Sequence, residues 1–524
     1  MHDAAGATGV RRAEVLAALS MASDLAMGQP VEFALKSCVL GMRLGQTLDL
    51  GDEELGEIFH HALLRYVGCN AETYSMVALF GDEIEMRRDF ALVDPGRAAE
   101  MMPFVVGHLR RAANDASSFE LLAHVARGLL TAKATAAEIL AGHCEVAQRL
   151  AERLGLSGNV QRNLGQIYER WDGRGLPRAL KGEAIAPAVR VVTFAQDAIV
   201  LRAAHGDAAS LAKLKARRGG AYDPRIVDRF VATPELIGDI DALSWDAVLA
   251  LEPRPHPVLS EAELDAACLA VADFADLKSP YTPGHSRAVS TLAGDAARRC
   301  GLPGGDVVEV ARAGLLHDLG QVAVSTRIWI KPGPLGDAER EQVRLHPYYG
   351  ERVLSRPKAL AHLGVIVGQH HERLDGSGYY RGARAASLAP QGRILAAAEA
   401  YQGLSEARPH RPAHRPEAAA EVLKREAQTG RLDPDAVDAV LAAAGHRPTL
   451  RRQLVAGLTE REVDVLRLIA RGQSMKEIAR SLGISPKTVD NHIQHLYAKI
   501  EVRTRAGATL FAIERGLAAP FFET

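Results

Sequence analysis

Residues 371–381 read HERLDGSGYYR, and residues 168–178 read YERWDGRGLPR, a repeat at an offset of 203. The same offset aligns AVRVVTFAQ (188–196) with QGRILAAAE (391–399). Farther on, GGAYDPRIVD (219–228) aligns with TGRLDPDAVD (429–438) at 210, and upstream HALLRYVG (61–68) aligns with AGLLHDLG (313–320) at 252. Four matches in one order make two copies of one domain. The first spans 28–235 and the second 260–445, with 1–27 as an N-terminal extension and 236–259 as a linker. The offset falls from 252 to 203, so the first copy carries about 49 extra residues.

Both copies read as helical. Leu292, Ala293, Ala296 and Ala297 recur at helical spacing before the stop Gly301-Leu302-Pro303. Val308, Val310, Ala311, Leu315 and Leu316 continue a second apolar stripe. Aromatics are only 5% of the 524 residues, while apolar residues are 47% and charged residues 24%. That balance is of a soluble globular protein, and the scarcity of strand-favouring residues predicts an all-α fold. Length allows three or four domains. Five Cys (Cys38, Cys69, Cys144, Cys268, Cys300) lie far apart without a CxxC pair, which suits a reducing cytoplasm. No signal peptide and no apolar run long enough to span a membrane is expected.

Residues 446–456 read as a second linker, to a third unit at 457–524. Thr459-x-x-Glu462 and Ser474-x-x-Glu477 are capping boxes before apolar runs. Ser485-Pro486 offers an N-cap followed by Pro at the first helical position, and Thr504 could cap a fourth helix. The segment SMKEIARSLGISPKTVDNHIQHLYAKI (474–500) gives two helices joined by a tight turn at Gly483. Val489, Ile493, Leu496 and Ile500 make the apolar face of the second. Lys487, Thr488, Val489, Asn491, His492, His495 and Lys499 are the candidate DNA contacts. The whole chain has a net charge of −1, from 63 Lys+Arg against 64 Asp+Glu. Residues 451–524 hold twelve Lys/Arg and eight Asp/Glu, so a local excess of +4 is hidden by that average. The unit resembles the LuxR-type helix-turn-helix, which implies binding of double-stranded DNA, usually as a homodimer.

In the second copy His285, His317-Asp318, His346, His370-His371 and Glu399 each sit in or beside an apolar-periodic stretch. Helices could project them into one core, where buried ionisable groups need partners. Imidazole with carboxylate suits zinc, iron, manganese or nickel. Seven candidate ligands exceed one tetrahedral site, so two divalent metals are expected. Two such ions can activate a water and neutralise a phosphate's developing charge.

The motifs HDxG, KPGxL, RLHP and HHERxDGSGY resemble HD-domain phosphohydrolases, more narrowly the HD-GYP branch, over about 160 residues. The resemblance implies hydrolysis of cyclic di-GMP or another phosphoester at a metal centre. It assigns His285, His317, Asp318, His346, His370 and His371 as ligands, with Asp318 bridging. The chain departs from the pattern in places. Glu399 stands where the branch has Asp, Gln321 where it has a phosphate-contacting Lys, Gln402 where it has a later Asp, and Gly378-Tyr379-Tyr380 for GYP. Tyr281 stands at the position of an extra acid of three-metal members, which favours two metals. Arg408 and Arg411 match residues that contact phosphates, and with Asp318 and Gln321 they are the candidate catalytic set. His410 and His414 read as loop surface.

The first copy has Arg65-Tyr66, Ile167-Tyr168 and Gln196 at the matching positions, which cannot rebuild the cage. It is expected to be a metal-free scaffold, serving sensing, dimerisation or packing. The chain thus reads as two HD-type domains followed by a four-helix DNA-binding bundle. The expected function is a cytoplasmic transcriptional regulator that binds or hydrolyses a cyclic dinucleotide. The alternative is a sensor that binds such a ligand without turning it over.

Overall fold

The computed structural model describes residues 9–112, 118–445 and 458–517. The described residues form helices and isolated bridges, with no strand among them. They fall into two compact units, Met1–Leu264 and Asp265–Thr524. No helix of the described residues is long and apolar enough to cross a membrane.

The first unit is built on α1 (Arg12–Ala26), α2 (Phe33–Thr47), α3 (Asp52–Leu64), α4 (Ser118–Arg153), α5 (Gly158–Leu164), α6 (Pro187–Ala216) and α7 (Pro224–Ala232). The second repeats them as α8 (Glu261–Asp276), α9 (His285–Arg299), α10 (Gly304–Leu316), α11 (His346–Leu354), α12 (Ala361–Val367), α13 (Pro390–Ser405) and α14 (Pro434–Gly445). Helices Thr73–Phe80, Glu83–Phe90 and Ala98–Ala112 come between α3 and α4, where the first copy carries its extra length.

The two copies share polar anchors. Gln166 accepts a hydrogen bond from the Ala186 amide, and Gln369 accepts one from Ala389. Glu169 holds the amides of Arg178 and Leu180, and Glu372 those of Arg381 and Ala383, all at 2.8 Å. Arg190 pairs with Asp223, and Arg393 with Asp433. Asp24 accepts from the Ala34 amide as Asp276 accepts from Ser286. This last pair corrects a boundary. Residues 12–26 are no extension; they are α1, the counterpart of α8.

The segment 236–259 also differs from a free linker. It includes the short helix Trp245–Leu249, and Asp239, Asp241 and Glu252 pair with Arg43, Lys36 and Arg11 of the first unit. The linker at 446–456 lies outside the described residues. In α10 the buried stripe runs through Val307, Val310, Ala313 and Leu316, so Val308 faces outward. Small residues bring α9 and α10 together: a β-carbon on Gly314 would lie 2.6 Å from the Ser290 backbone, and Ser290 donates to the Ala311 carbonyl.

The C-terminal bundle is α15 (Glu460–Ala470), α16 (Met475–Leu482), α17 (Pro486–Lys499) and α18 (Arg505–Glu514). Thr459, Ser474, Ser485 and Thr504 each cap a helix with the side-chain oxygen. Gly483 ends α16 at φ 64°, a left-handed conformation that favours glycine. Leu466, Ile469, Ile478, Val489, Leu496 and Phe511 are buried in its core.

Candidate metal centre and DNA-reading helix

The seven candidate ligands come from helix ends and one helix interior. His285 and His346 are the first residues of α9 and α11. His317 caps α10, and Asp318 opens the turn after it. His370 and His371 follow α12, and Glu399 lies on the buried face of α13. A β-carbon on Gly320 would fall on the His346 carbonyl, so this glycine lets the Asp318 turn lie against α11.

Asp318 stands between two groups. Its Oδ2 lies 3.5 Å from His285 Nε2 and 3.2 Å from His317 Nε2. Its Oδ1 lies 3.4 Å from His346 Nε2 and 3.7 Å from His370 Nε2. Glu399 Oε2 joins the first group, 2.9 Å from His285 Nε2 and 3.3 Å from His317 Nε2. His371 joins the second; ligand atoms of His346, His370 and His371 lie within 4.8 Å of one another.

Nδ1 of His317 faces the Gly314 carbonyl, that of His346 the Val343 carbonyl, and that of His370 the Val367 carbonyl, at 2.6–2.8 Å. A carbonyl only accepts, so each Nδ1 carries the proton and each Nε2 lone pair points inward. His285 Nε2, His317 Nε2 and Glu399 Oε2 are buried without a hydrogen-bond partner. Atoms sharing one ion at roughly 2.0–2.1 Å each would lie about 3 Å apart. The observed separations match that spacing, and the donor set is the imidazole-carboxylate mixture that transition ions prefer. The residues therefore fit two divalent ions.

The electrostatics agree. Burial works against ionised Asp318 and Glu399, yet the neighbouring histidines hold both well below the usual carboxylate range. Burial likewise works against charging His317, but Asp318 and Glu399 push it up to about 10. His370, by contrast, is lowered to about 3 by burial and then by the charges of His317 and His346. The pocket thus calls for positive charge beside its carboxylates.

The candidate catalytic residues have different surroundings. Gln321 is buried in the turn after Asp318. Arg408 donates to Glu406 at 3.2 Å. Arg411 donates to the carbonyls of Gly403, Leu404 and Glu406, which fold the loop after α13. The ring of Tyr379 stacks on His371 with centroids 4.7 Å apart. Tyr281 is half-buried, and its amide donates to Ser279 Oγ.

In the first copy, Arg65 and Tyr66 follow α3 as His317 and Asp318 follow α10. Arg65 donates to Thr193, and Gln196 is buried without a hydrogen-bond partner. One ligand-position histidine survives and was missed by the motif comparison. His143 sits 203 residues before His346, and a β-carbon on Gly68 would fall on its carbonyl, as for Gly320 and His346. His143 Nε2 faces the Ala71 carbonyl at 3.2 Å, and Nδ1 faces the Tyr168 hydroxyl at 2.9 Å. The proton therefore lies on Nε2, Tyr168 donates to Nδ1, and no lone pair is left for an ion.

On α17, Lys487, Thr488, Asn491, His495 and Lys499 are exposed and His492 is half-buried. Lys499 also pairs with Glu462 at 2.7 Å. Val489 is a correction. It is fully buried in the bundle core, where its apolar side chain holds the helix instead of facing outward.

A model of the HD domain matches residues 121–226 and 270–436, and a model of the bacterial regulatory proteins of the LuxR family matches residues 456–512. The 3′3′-cGAMP-specific phosphodiesterase 3 of Vibrio cholerae is 30% identical over 447 residues, which is 84% of this chain and 96% of that protein. A crystal structure of a cyclic GMP-AMP specific phosphodiesterase of V. cholerae matches with a TM-score of 0.58 at 27% identity. It covers 84% of this chain and 99% of that one. An uncharacterized transcriptional regulatory protein of Bacillus subtilis is 55% identical over 60 residues, 12% of this chain and 28% of that protein.

Proposed function

The chain belongs to the HD-domain family and carries a LuxR-type DNA-binding domain at its C-terminal end. On that premise we propose that it is a transcriptional regulator whose second HD copy holds two divalent ions and hydrolyses a cyclic dinucleotide. One observation carries the metal-centre reading: each oxygen of the buried Asp318 faces its own set of inward-pointing imidazole nitrogens. In this reading His285, His317 and Glu399 would hold one ion, His346, His370 and His371 would hold the other, and Asp318 would serve both. Bound there, the ions would supply Lewis acidity toward the phosphate and lower the pKa of an attacking water. Arg408 would steady the phosphate, and Gln321 would offer it a neutral donor. The relatives' names point to a 3′,5′-linked cyclic dinucleotide as the substrate class.

The test uses the purified full chain loaded with manganese or iron. It should cleave cyclic GMP-AMP or cyclic di-GMP, and His317→Ala should abolish cleavage. Cleavage at the wild-type rate by His317→Ala would remove the enzymatic reading. A metal-loaded chain that binds the nucleotide without cleaving it would favour the sensor. Arg411, turned to backbone carbonyls, supports that second reading.

For the DNA-binding half, the exposed residues of α17 face the major groove of a promoter as a homodimer. Affinity should fall steeply with salt, as phosphate contacts release counterions. Lys487→Ala should weaken binding by a few-fold and flatten that salt dependence. Binding insensitive to both salt and Lys487 would contradict this placement.

A further inference from the structure

Three of the inward-facing histidines use a carbonyl three residues earlier to fix their rings: Gly314 for His317, Val343 for His346 and Val367 for His370. His285 has no such acceptor. It opens α9, where the Thr282 carbonyl three residues before it accepts the His285 backbone amide at 2.9 Å, while Nδ1 faces elsewhere. A side chain faces its Nδ1 instead. That side chain is Glu406, whose Oε2 lies 2.8 Å from His285 Nδ1.

Glu406 lies outside every motif matched above, and it is buried at 1% exposure. Its other oxygen accepts from Gln402 Nε2 at 2.7 Å, and Arg408 donates to Oε2 at 3.2 Å. Glu399, Gln402 and Glu406 follow one another at intervals of three and four along α13 and its C-terminal cap. One helix face thus reaches both sides of the same imidazole. Glu399 meets Nε2 at 2.9 Å, and Glu406 meets Nδ1. At position 402, where the resemblance expects an acid, this chain has a glutamine that donates to the acid one turn on.

We propose that Glu406 is a positioning residue for the metal centre: it fixes the tautomer and rotamer of His285 and so sets the affinity of the ion that His285 holds. The inference rests on the two-metal reading of the second copy. A carboxylate behind a ligand imidazole makes its outward nitrogen a better donor, and loss of such a partner typically costs 10–100-fold in metal affinity. His346 and His370 place Nδ1 against carbonyls of their own chain segments, so the ion they would hold with His371 does not depend on Glu406.

The experiment is calorimetric titration of the metal-free full chain with Mn²⁺, read as affinity per site. Wild type should take two ions. Glu406→Ala should weaken one of them by 10–100-fold and leave the other at its wild-type affinity. Glu406→Gln retains an acceptor for the Nδ1 proton without the charge, so its loss should fall between. It also serves if the alanine variant does not fold. Two ions bound with wild-type affinity by both variants would overturn the proposal. Equal weakening of both ions at unchanged helical content would also overturn it, because a general packing defect gives that pattern. A wild-type chain that takes up no ion would overturn the metal-centre reading itself, and this inference with it.

Discussion

His143 and His346 hold the same place in the two copies, each with its carbonyl against a turn glycine, yet they carry their proton on opposite nitrogens. His346 donates from Nδ1 to its own helix approach and turns Nε2 inward. His143 donates from Nε2 to Ala71 and accepts from Tyr168 at Nδ1, which closes it as a core residue. Around both, the Gln–amide, Glu–amide and Arg–Asp anchors are the same. The comparison separates what builds the fold from what builds the site. The anchors are satisfied without any ion, so a copy can lose its ligands and keep its shape. In the second copy, His285 Nε2, His317 Nε2 and Glu399 Oε2 are buried without a hydrogen-bond partner.

The largest expected effect falls on the bridging position. Asp318→Asn keeps the size but removes the charge shared by both ligand groups. Hydrolysis of a cyclic dinucleotide should fall by more than the roughly 100-fold typical of a supporting residue. Tyr66→Phe, the matching change in the first copy, should leave the rate unchanged. Comparable loss in both would break the division between the copies.

The anchors should behave alike in both copies. Glu169→Ala and Glu372→Ala each strand two amides that the carboxylate now accepts from, at a cost of about 2–5 kcal/mol to the unit that contains it. Chemical denaturation with a probe in each unit reads this. A large loss in one copy and none in the other would show that the shared network is not what holds the fold.

A smaller effect concerns acid. Burial lowers His143 to about 3. Below the ordinary histidine value of about 6.5, the unfolded chain binds a proton that the folded chain does not, so stability falls as pH drops through that range. By pH 5 the first unit should lose about 2 kcal/mol through His143, a loss that His143→Gln removes. Melting temperatures against pH, wild type beside variant, measure it. Parallel curves would mean that His143 takes up its proton in the fold over the same pH range as in the unfolded chain.

Much of this was legible because motifs report side chains that chemistry constrains. The seven candidate ligands sit in spaced motifs, and four side-chain caps marked the bundle's helices. Other features escaped for physical reasons. His143 lies inside a 36-residue helix whose local sequence shares little with RLHP, and only the constant offset of 203 could have found it. The helix 12–26 lacks a motif, although the Asp24–Ala34 anchor lies at the same spacing as Asp276–Ser286. Val489 belongs both to the Ser485-x-Lys487-Thr488-Val489 motif and to the apolar period with Leu496 and Ile500, and the period decides its burial. Glu406 was invisible because it meets His285 across 121 residues of sequence, and only three-dimensional geometry brings the two together.

The central claim is that one copy holds two ions and the other none. Metal content per chain, measured on purified wild type, Asp318→Ala and Tyr66→Ala, tests it most directly. The account predicts two ions in wild type, two in Tyr66→Ala and close to none in Asp318→Ala. Two ions retained by Asp318→Ala, or ions lost from Tyr66→Ala, would contradict it.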